Sequence, residues 1–183
     1  MAQAVERVHQ RLHRAALALE SANIAYAVVG GNAVAAWVSQ VDEGAVRNTQ
    51  DVHILLRRND LDAAKQALAK QGFVYRHSAS LDMFLDGPES KARDALHILF
   101  AGERVRPDDL ETTPDVDDSV RLGSFQAVTL QALVRMKLNS FRLKDKVHLL
   151  DLLEVGLIDA SWVRRVPLPL AARLQEIVDN PQQ

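Results

Sequence analysis

Apolar residues recur at Val5, Val8, Leu12, Ala15, Ala16 and Leu19. This three-and-four spacing predicts an amphipathic helix from about Ala4 to Ser21. The run Ala25 to Val29 then reads as a short buried strand, and Gly30-Gly31 turns the chain into a helix from about Asn32 to Ser39. A polar loop over 40–50 precedes a second apolar strand, Asp51 to Leu55. There, two-residue periodicity sets Asp51 and His53 on one face and Val52 and Ile54 on the other. Asn59 is a plausible N-cap for a helix carrying Leu61, Ala64 and Leu68, which Gly72 stops. Phe73 to His77 and Asp82 to Leu85 read as two strands joined at 78–80, and Asp86-Gly87-Pro88 breaks the second. Ala95 to Phe100 is a further strand bearing His97.

The pattern then weakens. Arg106 to Asp118 is rich in Pro, Asp, Glu and Thr and reads as a linker or surface excursion, followed by a short strand or turn through Val120 to Val128. Thr129 can cap a helix carrying Leu130, Leu133, Val134 and Leu138. After a polar break at 141–145 a second helix runs to Gly156, and Trp162 with the segment Leu168 to Val178 supplies a last helical layer. The expected divisions are an α/β core over 1–105, an acidic linker with a short strand region over 106–128, and a helical subdomain over 129–183.

Composition narrows the function classes. The chain has 183 residues, 48% of them hydrophobic and 25% charged, which is the balance of a globular protein with a substantial core. A formal net charge of −2 gives no electrostatic basis for extended nucleic-acid binding. With no cysteine, disulfides and thiolate metal sites are excluded. No stretch approaches the roughly 20 apolar residues of a membrane span, and the expected compartment is the cytoplasm. His9 and His13, four apart on the first helix, read as part of a solvated face because no third ligand lies nearby.

Two stretches carry chemistry. In the first, Gly30-Gly31 opens the backbone to close approach, the helix behind it offers free N–H groups to an anion, and Asp51 and His53 follow on one strand face. In the second, Lys137-Leu138-Asn139-Ser140-Phe141-Arg142-Leu143-Lys144-Asp145, three cations and one acid meet where two helices join. By itself this is also the pattern of a salt-bridged corner.

Taken together in this order, the glycine turn, the Arg47-Asn48-Thr49-Gln50-Asp51 segment and the Lys137-to-Asp145 corner resemble the nucleotidyltransferase superfamily of polymerase-beta-like fold. The branch they resemble includes abortive-infection toxins. The resemblance spans roughly Ala25 to Val155 and implies an α+β fold: a mixed sheet flanked by helices, with a C-terminal helical subdomain. It implies that Gly30, Gly31, Arg47, Thr49, Lys137, Arg142, Lys144 and Asp145 handle a nucleoside triphosphate. In this reading Asp145 or Asp151 orients the cations or the acceptor, and the partners are a nucleotide and a protein such as an antitoxin. The sequence leaves open whether an antitoxin or an identical subunit covers the cleft.

The departure lies in the metal-binding acids. The family carries Asp-x-Asp or Asp-x-Glu and a third carboxylate on a neighbouring strand, whereas this chain has Asp51, His53 and, in the third slot, His97. Asp94 is the alternative for that slot. Two imidazoles in place of two carboxylates take the site from a formal charge of about −3 to about −1. Such a donor set favours Zn²⁺, Mn²⁺ or Fe²⁺ over Mg²⁺ if Asp51, His53 and His97 bind a divalent metal. The expectation is a nucleotide-binding cleft with impaired catalysis. Active metal-dependent nucleotidyl transfer and metal-assisted hydrolysis at an Asp-His-His site are the alternatives.

Overall fold

A computed structural model describes residues 2–180. Helix α1 (Ala2–Ser21) leads into β1 (Tyr26–Val29), α2 (Gly30–Ser39) and β2 (Val52–Leu56). Helix α3 (Leu61–Ala69), β3 (Val74–Ser78), β4 (Leu81–Leu85) and β5 (Leu96–Phe100) follow. The hairpin β6 (Ser119–Leu122) and β7 (Phe125–Val128) precedes α4 (Leu130–Ser140), α5 (Leu143–Glu154) and α6 (Leu168–Asp179). The strands form one mixed sheet in the order β3-β4-β5-β2-β1-β7-β6. β2 pairs antiparallel with β1 and parallel with β5, and β7 runs parallel to β1.

Strand alternation sorts the sheet into two faces. Tyr26, Val28, Val52, Ile54, Leu56, Leu96, Ile98 and Phe100 pack with Leu12, Ala16 and Leu19 of α1 and Ala64 and Leu68 of α3. Ala27, Val29 and Leu55 face the opposite way, into a core shared with α2, α4, α5, Trp162 and α6. The C-terminal helices therefore have no core of their own and close over the sheet.

Three local expectations change. Asn59 caps no helix: 58–60 form a 3₁₀ turn and α3 starts at Leu61 without a side-chain cap. Residues 119–128 extend the main sheet, because β7 pairs with β1 through Val28 and Ala127. The segment before them is no free excursion either. The Asn139 side chain accepts from the N–H groups of Leu110 and Glu111, at 2.8 and 3.1 Å, and donates to the Glu111 carbonyl at 2.9 Å. One amide thus satisfies three backbone groups that would otherwise need water, and fastens the segment to α4. Among the described residues no helix is long and apolar enough to cross a membrane.

Leu152 of α5 is fully buried in the core that joins sheet and helices. Leu152→Ala is expected to cost about 2–5 kcal/mol in urea unfolding. Because the core is shared, signals from sheet and helices should shift together in one transition.

Candidate functional site

The glycine turn is a packing solution before it is a ligand site. Gly30 adopts φ +70, and a Cβ there would stand 3.3 Å from Nδ1 of His53. A Cβ on Gly31 would stand 2.9 Å from Oγ1 of Thr49. His53 and Thr49 therefore press against the backbone at the start of α2, whose N-terminus has no side-chain cap. Asn32, buried in that helix, donates to the Asp51 carbonyl at 2.7 Å and anchors the start of β2.

Beside this turn lies a cleft of about 290 Å³. Its sheet side carries Val29, Gly30, Gly31, Thr49, Asp51 and His53, and its helical side carries Lys137, Ser140, Arg142, Lys144, Asp145 and His148. A third wall comes from Val105, Arg106, Asp109, Thr112 and Thr113, in the region that the sequence marks as a linker. That role depends on the Asn139 clamp, which no local pattern announces.

On the helical wall, Lys137 is 7% exposed and Asp145 is 6% exposed; their charged groups meet at 2.9 Å. Burial lowers the Lys137 pKa against the opposing pull of Asp145. Burial raises that of Asp145, but Lys137 outweighs it and holds the carboxyl below the ordinary range. The second Asp145 oxygen accepts from the Arg142 N–H at 3.2 Å, and the Asp145 N–H donates to the Arg142 carbonyl at 2.8 Å, which together close the first turn of α5. Arg142 donates through Nε to Ser140 at 2.9 Å, and Lys144 reaches across to Asp51 at 3.4 Å. Arg47 points elsewhere. It pairs with buried Asp151 at 2.7 Å and lies outside the cleft lining, so Asp145 orients Lys137 while Asp151 holds Arg47.

His53 and His97 are register partners on the parallel strands β2 and β5, and their rings stack at 5.2 Å and 26°. His97 stands beside His53, outside the cleft lining. Asp94 sits in the 3₁₀ turn before β5, next to Arg93. Imidazole lone pairs lie in the ring plane, so stacked rings aim them side by side and not at a common ion. Among the described residues, no three His, Asp or Glu side chains are arranged to hold a metal ion. The donor set of Asp51, His53 and His97 thus does not fit a pair of Mg²⁺ ions, which require oxygen ligands converging at about 2.1 Å. His9 and His13 are exposed on α1.

His148 is a further lining residue that sequence reasoning missed. It is 7% exposed, and its Nδ1 and the Thr49 Oγ1 are buried without a hydrogen-bond partner. The signal was available in its spacing: three residues after Asp145 on a helix is the same face. Burial, followed by the charge of Lys137 and Lys144, pushes the His148 pKa down to about 4. Burial and then neighbouring His97 do the same for His53, also to about 4.

Two outcomes follow. Unfolded histidine titrates near 6.5, so as pH falls from there towards 4 the unfolded chain binds protons that folded His53 and His148 refuse. Their stabilising contribution is complete above pH 6.5 and declines below it. Urea unfolding at pH 5 should show a loss of about 2 kcal/mol for each histidine relative to pH 7.5, and His148→Leu should remove one share. Lys137→Met leaves Asp145 buried without its partner and should cost about 3–5 kcal/mol, much of it recovered when Asp145→Asn is added.

No family model and no curated protein matches the sequence. Solved structures do resemble it. The antibiotic-resistance factor ANT(2'')-Ia, in its solution structure, is similar with a TM-score of 0.56 at 11% identity, over 91% of this chain and 88% of that one. JHP933 from Helicobacter pylori gives 0.54 at 16% identity, over 99% and 76%. A candidate nucleotidyltransferase from H. pylori gives 0.53 at 14% identity, over 99% and 79%. At these identities the likeness speaks to architecture, and the chain has a nucleotidyltransferase-like α+β fold.

Proposed function

We propose that this protein binds a nucleotide in the cleft between the glycine turn and the α4–α5 corner, and does not carry out two-Mg²⁺ nucleotidyl transfer. One observation carries the reading. The cleft has a cationic wall of Lys137, Arg142 and Lys144, but the sheet wall facing it bears one aspartate and a neutral imidazole stacked on another. Nucleotidyl transfer needs cations that bridge the phosphates and activate the attacking oxygen, and those cations need carboxylates. With one carboxylate in place of three, the anion-binding half of the machinery remains without the half that performs the reaction. The protein then acts as a binding or regulatory module.

Within this reading Gly30, Gly31, Thr49, Lys137, Arg142 and Lys144 receive the nucleotide, while Asp145 keeps Lys137 charged and in place. Arg47 belongs to the structural support through Asp151. His53 and His97 stand in for the missing acids.

The test is label transfer. The protein is incubated with each of the four α-labelled nucleoside triphosphates, Mg²⁺ or Mn²⁺, and a cell extract as the source of acceptors. Saturable nucleotide binding without transfer is expected, and the combined change His53→Asp with His97→Asp should raise Mg²⁺ affinity. Robust transfer that disappears in Asp51→Ala would overturn the proposal.

A further inference from the structure

Once the internal pairings of the cleft are taken into account, hydrogen-bond donors remain on both walls, while each carboxylate of the cleft already has a donor. Asp145 is occupied by Lys137 and by the N–H of Arg142. Asp109 accepts from the N–H of Arg106 at 2.9 Å, and Asp51 faces Lys144. Still able to donate are the ammonium groups of Lys137 and Lys144, the guanidinium of Arg142, the uncapped start of α2, the Thr49 hydroxyl and the His148 imidazole.

The last two are the informative ones. His148 is more than nine-tenths buried, lines the cleft, and carries a ring nitrogen with no partner in the protein. Thr49 lines the same cleft, and its unpartnered hydroxyl lies against Gly31, where α2 begins. Buried polar atoms are seldom left without a hydrogen bond, and here two are left so on opposite walls of one hollow. A phosphate group has only acceptor oxygens to offer, which is the complement of this wall.

We propose that the cleft holds the phosphates of a nucleotide without a divalent metal, with Thr49 and His148 as direct contacts beside Lys137, Arg142 and Lys144. The proposal rests on the nucleotide-cleft reading above and adds how the phosphates are held. Charge neutralisation comes from the side chains on the helical wall. The Thr49 hydroxyl and the His148 imidazole add hydrogen-bonding groups from the two opposite walls of the cleft. The poor fit of Asp51, His53 and His97 to Mg²⁺ is the other side of the same design.

Isothermal titration with ATP, GTP and inorganic tripolyphosphate, each in EDTA and in Mg²⁺, tests this. Affinity in EDTA is expected to equal that in Mg²⁺ within about threefold, or to exceed it. Tripolyphosphate should compete with ATP. His148→Leu and Thr49→Val should each weaken binding about tenfold in EDTA, whereas His148→Asn, which keeps a donor near Nδ1, should retain most of it. Asp51→Ala should tighten binding in EDTA by removing a negative charge and freeing Lys144; a metal-bridged nucleotide would instead lose affinity. Thermal unfolding of each variant checks the fold, and if His148→Leu fails to fold, Thr49→Val and His148→Asn still decide. Binding only in Mg²⁺, or failure of tripolyphosphate to compete, overturns metal-free phosphate binding and leaves the nucleotide cleft standing. No binding of any nucleotide in either condition overturns both.

Discussion

An almost fully buried lysine must find a counter-charge, and Asp145 supplies one at 2.9 Å from Lys137. Desolvating two charges is costly, and the cost is offset only when their remaining hydrogen-bonding groups are also satisfied. Here the free oxygen of Asp145 caps α5 through the Arg142 N–H, so the same carboxylate that neutralises the end of α4 starts the next helix. The corner is tightened further by Phe141, which takes a left-handed backbone with φ 47. Its ring lies under the charged ends of Lys146 and Arg173, at 4.4 and 5.3 Å. Arg173 also donates to the carbonyls of Leu138 and Asn139, which the end of α4 leaves open. The direction in which Arg142, Lys144 and His148 face the sheet follows from this corner.

Opposite stands a wall of different character. Parallel pairing in register brings His53 of β2 level with His97 of β5, and alternation turns both side chains away from the α1–α3 core. Burial keeps His53 neutral far below the ordinary histidine range. A cationic helical wall therefore confronts a sheet wall whose one carboxylate, Asp51, is already answered by Lys144. Such a hollow attracts anions and has little with which to hold a hard divalent cation. The fold is compatible with transfer chemistry and with binding alone, and the proposal of binding alone rests on the side chains of this wall.

Most elements were legible because they obey short-range rules. The three-and-four spacing of α1, the alternation of β2, the turn at 79–80 and the Thr129 cap of α4 all depend on residues within a few positions of one another. The shared face of Asp51 and His53 was readable for the same reason. The third wall was not, since Asn139 clamps residues 28 and 29 positions away and nothing in the acidic segment signals an attachment. The pairing of Arg47 was equally out of reach, because its partner Asp151 lies 104 residues along the chain.

The sequence by itself determined a glycine bend before a helix, an acid and an imidazole on one strand face, and a basic corner ending in Asp145. Each is a statement about neighbours in the chain, where backbone geometry dictates side-chain direction. Only the tertiary structure decided that His53 would stack on His97, that Lys144 would cross 93 positions to Asp51, and that His148 and Thr49 would share a hollow with no internal partners. Those outcomes depend on the strand order and on how α4, α5 and α6 settle onto a common core. That packing is set by the burial of residues far apart in the chain, beyond the reach of any local spacing.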